Sequence, residues 1–278
     1  MSAVATPTLS VIIVTYNSRD HIDECLSSVL TGPARVHREV VVVDNASQDG
    51  TAAFVRDRWP AARVLETGSN LGFAKANNVG IRHSSGKYVL LLNPDTRARE
   101  GAMDTMVAAL ERPGVSVIGP RIVDEHSRPE LSFGSMIGPF SELRQKVLSR
   151  VHAYVDRITR TPRFVDWVSG AALLVGRADA EAVGLLDERF FMYTEDVDFC
   201  AAIRARGGRI LFLPAAEIVH LRGRSVASRP EATERAYRRS QLAFYEKHRP
   251  GWVPWLRAYL KIKGALPDRE IDPAGPDV

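Results

Sequence analysis

The chain has 278 residues, 45% of them hydrophobic and 25% charged, with a formal net charge of +4. These proportions exclude a disordered chain and predict a substantial core, in one large α/β domain or two intimately joined halves. No stretch approaches the roughly 20 apolar residues that cross a bilayer, and no basic segment followed by an apolar run marks a secretory signal. Cys25 and Cys200 stand far apart without metal or redox spacing, which suits a reducing compartment.

Residues 1–8 read as a loose tail. Leu9–Val14 is a first buried strand ending in Thr15-Tyr16-Asn17-Ser18, where Asn17 or Ser18 is placed to cap a helix carrying Ile22, Leu26, Val29 and Leu30 on one face. Val40–Val43 is a second strand with Asp44 at its end, followed by a helix bearing Ala52, Val55 and Trp59; Arg63–Leu65 is a short third. A polar loop over Gly68–Phe73 leads into a helix from Ala74 to His83. Its Asn77, Asn78 and Gly80 are poor helix formers and so are expected to serve contacts rather than helix stability. Val89–Leu92 is a core strand that Pro94 terminates, leaving Asp95 just beyond it; Asn-Pro-Asp is also an ordinary turn. A helix from about 100 to 110 and a strand over Val115–Gly119 complete an alternation that predicts a parallel sheet covered on both faces.

The pattern weakens after Pro120. Residues 124–164 are rich in Gly, Ser and Pro with an amphipathic patch near Ser141–Tyr154, and are read as an inserted acceptor-side segment. Strand character returns over Phe164–Gly170 and Ala171–Val175, then a short helix over Asp179–Leu185. The aromatic loop Asp187–Tyr193 enters Thr194-Glu195-Asp196-Val197-Asp198, and Phe199–Arg206 is predicted helical. Ile210–Leu213 and Glu217–Val219 are short strands, the second ending at His220. Helices over about 231–248 and Trp252–Lys263 precede a Pro-rich tail.

From Phe199 to Lys263 there are eleven Arg and three Lys against four Glu and no Asp. That asymmetry predicts an anionic partner: nucleic acid, a phosphorylated substrate or an acidic lipid surface. Asp44, Asp95 and the Glu195/Asp196 pair all stand where an apolar run gives way to a loop, and the carboxyl ends of parallel strands share one edge, so these groups are expected to rim one cleft with His220. Asp95 and His220, oxygen plus imidazole, suit Mg²⁺ or more readily Mn²⁺ bound against a diphosphate. Asp198 is assigned only a helix-capping role. Glu195 and Asp196, behind four large side chains, are placed to take a proton from an attacking hydroxyl. Trp167 beside Ser169-Gly170 is either a core residue or a flat face for a sugar. The absence of G-x-G-x-x-G after the first strand and of G-x-x-x-x-G-K-[ST] removes the usual support for a dinucleotide oxidoreductase or a P-loop NTPase.

The order TYN at 15–17, VVDNASQDGT at 42–51, NLGFAKANNVG at 70–80, NPD at 93–95, SGA at 169–171, FFMYTEDVDFCAAIRARG at 190–207 and His220 resembles the family 2 inverting glycosyltransferases, over about Leu9 to His220. Within them it is most similar to bacterial rhamnosyltransferases acting on a polyprenyl-diphosphate-linked sugar. The resemblance implies an α/β GT-A fold: a Rossmann-like, mostly parallel central sheet flanked by helices, with a smaller acceptor-side sheet and C-terminal helices. It divides the chain into a nucleotide-sugar half (1–120), an acceptor and catalytic half of the same domain (121–228), C-terminal helices (229–266) and a tail (267–278).

By the same resemblance, Thr15, Tyr16, Asn17 and Asp44 would hold base and ribose, with Asn45 and Asp49 shaping that loop. Asn70, Gly72, Lys75 and Asn78 would line the donor side. Asn93 stands where many relatives carry an acid, so it would hydrogen-bond rather than ligate. Asp95 would be the principal cation ligand and His220 a second, for Mg²⁺ or Mn²⁺. Asp196 would be the base, with Glu195 ordering it or the acceptor, and Trp167, Ser169, Gly170 and Tyr193 would contact the acceptor. Arg222, Arg224 and Ser225 would reach the diphosphate. The implied reaction moves L-rhamnose from dTDP-rhamnose onto a glycan or lipid-diphosphate-linked sugar by single displacement. A UDP- or GDP-sugar used on a soluble acceptor, and a non-catalytic nucleotide-sugar-binding protein, are the alternatives. A nucleotidyltransferase would show a Gly-rich loop and a basic residue after the first strand, where Tyr16-Asn17-Ser18 stands. No nucleic-acid module is apparent, so no nucleic-acid partner is expected. Trp252, Trp255, Tyr259 and Ile262 share a helical face near Arg257, Lys261 and Lys263. That face either docks on the core or rests on an anionic membrane, so the expected location is cytoplasmic, with peripheral contact at the inner face of the cell membrane as the second reading.

Overall fold

Val11–Val14, Val40–Val43 and Val89–Leu92 are apolar at every position, so the strands they form need cover on both faces. In the computed structural model, which describes residues 7–221 and 230–267, they lie side by side in a nine-stranded sheet. The first half of the chain contributes β1 (Leu9–Thr15), α1 (Ile22–Leu30), β2 (Arg38–Asp44), α2 (Thr51–Arg58), β3 (Ala62–Glu66), α3 (Phe73–Arg82), β4 (Tyr88–Leu92), β5 (Thr96–Ala98), α4 (Ala102–Leu110) and β6 (Val115–Val123). Next come β7 (Phe133–Gly134), α5 (Pro139–Leu148), α6 (His152–Ile158), β8 (Arg163–Val165), β9 (Trp167–Val168), β10 (Ala172–Gly176) and α7 (Arg177–Ala182). Last are α8 (Glu195–Ala205), β11 (Arg209–His220), α9 (Pro230–His248) and α10 (Val253–Ile262), with a 3-10 turn at Pro250–Trp252 between the two final helices.

The sheet order is β3-β2-β1-β4-β10-β6-β11-β5, with β8 also on β11. β1, β2, β3 and β4 pair in parallel, as do β6 and β11, whereas β10 runs antiparallel between β4 and β6. β5 and β8 are antiparallel to β11, and β7 with β9 makes a separate two-stranded sheet. The strand period of two splits β1 between two cores: Val11 and Ile13 join α1 and α4, while Ile12 and Val14 join α3 and α8. β6 runs unbroken through residue 120, so both halves share one sheet.

α3 shows why its poor helix formers stand where they do. A Cβ at Gly80 would collide with Ile12, so glycine lets α3 lie close on β1. Asn77 bonds back to the Phe73 carbonyl at 2.9 Å, and Asn78 fastens α3 to the Leu186 backbone at 2.8 and 3.1 Å.

Three boundaries differ from the sequence reading. The helix expected to start at Phe199 starts at Glu195, because Tyr193 and Thr194 take left-handed backbone (φ 72° and 61°) and the acidic residues then fill its first turn. The two strands expected after Gly208 are one, β11, which passes Pro214 with a register shift between Leu213 and Glu217. Strand character expected across Phe164–Gly170 breaks into β8 and β9, on different sheets. Residues 124–164, read as an inserted segment, carry α5 and α6.

Candidate active site

Leu92 of β4 stands opposite Ile13 of β1, and Thr15 opposite Asp44 of β2, so three loops leave one sheet edge together. Thr15 Oγ1 donates to Asp44 Oδ1 at 3.2 Å, and Ser47 N–H donates to Asp44 Oδ2 at 3.1 Å. Asn17, at φ 51°, accepts from Gln48 N–H at 2.8 Å and donates its own N–H to Ser47 Oγ at 2.9 Å. Asn45 binds Asn70 Oδ1 at 2.7 Å and Leu71 N–H at 2.8 Å, and Asn70 Oδ1 also accepts Gly72 N–H at 3.0 Å. Gly72 sits at φ 77° against Phe191, where any Cβ would strike both the Phe191 carbonyl and its ring. These bonds make a preformed polar wall from three separate loops.

β11 delivers His220 opposite Thr96, next to Asp95. His220 Nε2 lies 3.3 Å from Asp95 Oδ1, and Nδ1 lies 3.7 Å from Glu130 Oε2. Burial alone would raise the Asp95 carboxyl, but the bond and charge of His220 prevail and hold it below the ordinary carboxylate range. Among the described residues no group of three or more His, Cys, Asp or Glu side chains forms a metal cage. Asp95 with His220 is a two-donor set, which fits a cation that completes its shell with substrate phosphate oxygens.

The first turn of α8 holds three acids with three different surroundings. Gly170 N–H donates to Asp196 Oδ2 at 2.8 Å and Val197 N–H to Oδ1 at 2.8 Å. Glu195 is 6% exposed, and its Oε2 has no hydrogen-bond partner. Burial raises both carboxyls; the Asp196 charge pushes Glu195 further up, while the backbone donors pull Asp196 back down. Of the two, Glu195 is raised the further, so a proton shared by the pair is held more tightly there than on Asp196.

Asp198, assigned a capping role from sequence, is the third. It is 2% exposed, and from α9 it meets Lys247 Nζ at 2.9 Å and His248 Nε2 at 2.6 Å. Ser240 of α9 binds the Met192 carbonyl at 2.7 Å and accepts on its own carbonyl from Thr194 Oγ1 at 3.3 Å. The left-handed Tyr193–Thr194 turn costs on the order of 1–3 kcal/mol per residue, and these contacts from α9 hold it.

One cavity of about 1390 Å³ joins these parts. Tyr16, Asn17, Asn45, Asn70, Gly72, Asn93, Asp95, Trp167, Ser169, Gly170, Tyr193, Glu195, Asp196 and His220 all line it. Trp167 is fixed by its Nε1 bond to the Ser135 carbonyl at 2.9 Å. Thr15 and Asp44 are 0% and 2% exposed and lie behind the wall as its supports, so Asp44 is not on the rim expected for it. Lys75 is exposed and Asn78 is spent on Leu186 and Glu188; neither lines the cavity. Arg222, Arg224 and Ser225 fall outside the described residues.

Sequence reasoning missed the opposite wall. Glu142 of α5 accepts from Gln241 Nε2 and Tyr245 OH of α9, each at 2.6 Å, and burial raises its carboxyl. Arg238 donates to Gln241 Oε1 at 3.0 Å. All four line the cavity. No sequence pattern joins partners a hundred residues apart.

Residues 10–162 match Glycosyl transferase family 2. The chain belongs to this family. It is 30% identical to the N-acetylglucosaminyl-diphospho-decaprenol L-rhamnosyltransferase of Mycobacterium tuberculosis, over 94% of this chain and 95% of that one. It is 24% identical to rhamnosyltransferase WbbL of Escherichia coli K12, over 76% and 82% of the two chains. In fold it is similar to the mannosyltransferase PcManGT from Pyrobaculum calidifontis, solved with GDP-Man and Mn²⁺, at a TM-score of 0.61 and 21% identity, covering 92% of this chain and 69% of that one. The chain is a glycosyltransferase of the GT-A fold.

Two outcomes follow from α8. Asp198→Ala, which takes the carboxylate from His248 and leaves Lys247 with Asp187 alone, should cost about 1–3 kcal/mol in urea unfolding and lower kcat more than the donor KM; unchanged kcat would show that turnover does not depend on the hold of α9 on the Tyr193–Thr194 turn. A carboxyl raised in the fold contributes stability that is complete below its unfolded value and is lost as pH rises through the folded one. Glu195→Gln, permanently neutral, should therefore melt increasingly above wild type as pH rises past the ordinary carboxylate value of 4.5. A constant difference would place the charge on Glu195.

Proposed function

We propose that the chain is an inverting rhamnosyltransferase that moves L-rhamnose from dTDP-rhamnose to a hydroxyl of a polyprenyl-diphosphate-linked sugar. The observation that carries the chemistry is that Asp196 opens on the same cavity as the Asp95–His220 pair and the Asn45–Asn70 wall. The sugar and the lipid carrier rest on the likeness to the two rhamnosyltransferases.

Tyr16, Asn17, Asn45 and Asn70 bind the nucleotide, with Thr15 and Asp44 bracing that wall from behind. Asn93 hydrogen-bonds beside the diphosphate. Asp95 and His220 would hold Mg²⁺ or Mn²⁺, which supplies charge neutralisation for the diphosphate. Trp167, Ser169, Gly170 and Tyr193 position the acceptor. Asp196 takes the hydroxyl proton while that oxygen attacks the anomeric carbon; the bond from that carbon to the diphosphate oxygen breaks on the opposite face, which inverts the configuration. Both Asp196 oxygens accept a backbone N–H and each keeps a lone pair for the incoming proton. Glu195, raised further than Asp196, holds a proton more tightly than the base beside it.

With dTDP-rhamnose and an N-acetylglucosaminyl diphosphate lipid, Asp196→Asn should lose about 10²–10⁴ of kcat with donor Kd changed less than about twofold. Near-wild-type turnover would remove Asp196 as base. Preference for a UDP- or GDP-sugar in a parallel screen with Mg²⁺, Mn²⁺ and chelator would replace the donor.

The same reading gives the protein a peripheral seat on the cytoplasmic face of a membrane. No helix among the described residues is long and apolar enough to span one. On α10, Trp255, Tyr259 and Ile262 are 71%, 50% and 86% exposed, near Arg257, Lys261 and Lys263. Co-sedimentation with anionic vesicles should fall about tenfold or more on replacing Trp255 and Ile262 by Ser. Equal binding by both proteins would dismiss the seat.

A further inference from the structure

The active-site cavity does not end at the acceptor wall. Its lining extends to α5 and α10, where Ile137, Pro139, Trp252, Trp255, Leu256 and Tyr259 make an apolar slot beside Glu142 and Gln145. Phe140 closes one side edge-on against Trp252, with ring centroids 6.4 Å apart, and remains 78% exposed. Side chains of this size left in water form a patch that calls for an apolar occupant. The floor is continuous with the reaction centre: Ile137 and Leu256 pack on a small core of Phe190, Val197, Phe244 and Tyr245, and Val197 directly follows Asp196.

Continuity selects the occupant. A group in this slot belongs to a molecule whose other end reaches Asp196, so it is part of a substrate rather than a separate protein. The α10 side presents rings, methyls and methylenes, which suits a hydrocarbon, while Glu142, Gln145 and Ser149 give the α5 side polar groups next to it. Resting on the lipid-linked acceptor proposed above, we infer that the slot between α5 and α10 binds the first isoprene units of the acceptor's polyprenyl chain. The protein thus grips the lipid next to its diphosphate instead of leaving the whole chain in the bilayer. Lys261 and Lys263, exposed on the outer part of α10 and just past its end, flank the way toward an anionic surface.

The test reads binding apart from turnover, with the full chain and no vesicles. Inorganic pyrophosphate, geranyl diphosphate and farnesyl diphosphate, below their micelle concentrations, are titrated by calorimetry. Affinity should rise by about tenfold at each step of chain length. Trp255→Ala, at an already exposed position, and Leu256→Ala should each flatten that rise by about tenfold while leaving the pyrophosphate affinity unchanged. Should Leu256→Ala melt early, Trp255→Ala alone carries the comparison. Equal affinity for the three probes, or a chain-length trend that appears only once vesicles are added, would overturn the slot. Turnover on N-acetylglucosaminyl diphosphate bearing the same chains is measured in parallel. Failure of transfer with chain-dependent binding intact would overturn the acceptor assignment and support the slot.

Discussion

The site depends on the sheet register. Parallel pairing of β1 with β2 and β4 sends Thr15, Asp44 and the Asn93–Asp95 loop to one edge. β10 runs the other way, with Ala172 opposite Leu92, so its amino end arrives at that same edge and brings Ser169 and Gly170 with it. β11 is again parallel and finishes there at His220. A carboxylate after β4, an imidazole on β11 and a backbone N–H donor before β10 thus converge because of strand direction. A one-residue slip would exchange the two core faces of β1 and misplace every loop that leaves it.

The chemistry at that edge comes from giving similar side chains dissimilar surroundings. Glu195, Asp196 and Asp198 share one helical turn and one favourable helix dipole. Asp196 accepts two backbone N–H bonds, Asp198 meets Lys247 and His248 of α9, and one oxygen of Glu195 has no hydrogen-bond partner. The dipole alone would stabilise all three as anions. Desolvation then separates Glu195 from Asp196: it raises both carboxyls, and backbone donors offset it at Asp196 more than at Glu195. The strained Tyr193–Thr194 turn fits the same account: it aims the first turn of α8 at the cavity, and α9 holds it through Ser240.

Much of this was legible in the sequence because it is written in runs. Apolar stretches ending in Asp44, in Asn93-Pro94-Asp95 and in His220 place those residues at strand ends whatever the rest of the chain does. The asparagines and glycine of α3 announced contacts by being poor helix formers, and Gly80 and Asn78 make them. Asn78 also shows the limit: its type was informative, but its partner, the backbone of Leu186, came from tertiary packing. The start of α8 was misplaced because two non-glycine residues adopt left-handed backbone, which local propensity disfavours. β11 was divided because Pro214 ordinarily ends a ladder, yet the register shift there absorbs it. The Glu142–Gln241–Tyr245 wall and the Asp198–Lys247–His248 contact were invisible for a common reason. Each joins α9 to a distant element through side chains whose composition alone reads as solvent-facing.

The cavity also changes character along its length, and that change constrains what fills it. One end is walled by Asn17, Asn45 and Asn70, whose amides are committed to a preformed network and lose little freedom on meeting a ligand. Asp196 and the Asp95–His220 pair also line the cavity. The far end is Ile137, Leu256 and the aromatic rings of α10. A wholly polar substrate would leave the far end wet, and a wholly apolar one would strip the amides and carboxylates of water without replacing their hydrogen bonds. The mixed lining suits the reactants proposed above, which together run from nucleotide through sugar to hydrocarbon. α9 makes that possible, since the same helix secures the catalytic turn on one side and carries Gln241 and Tyr245 against α5 on the other.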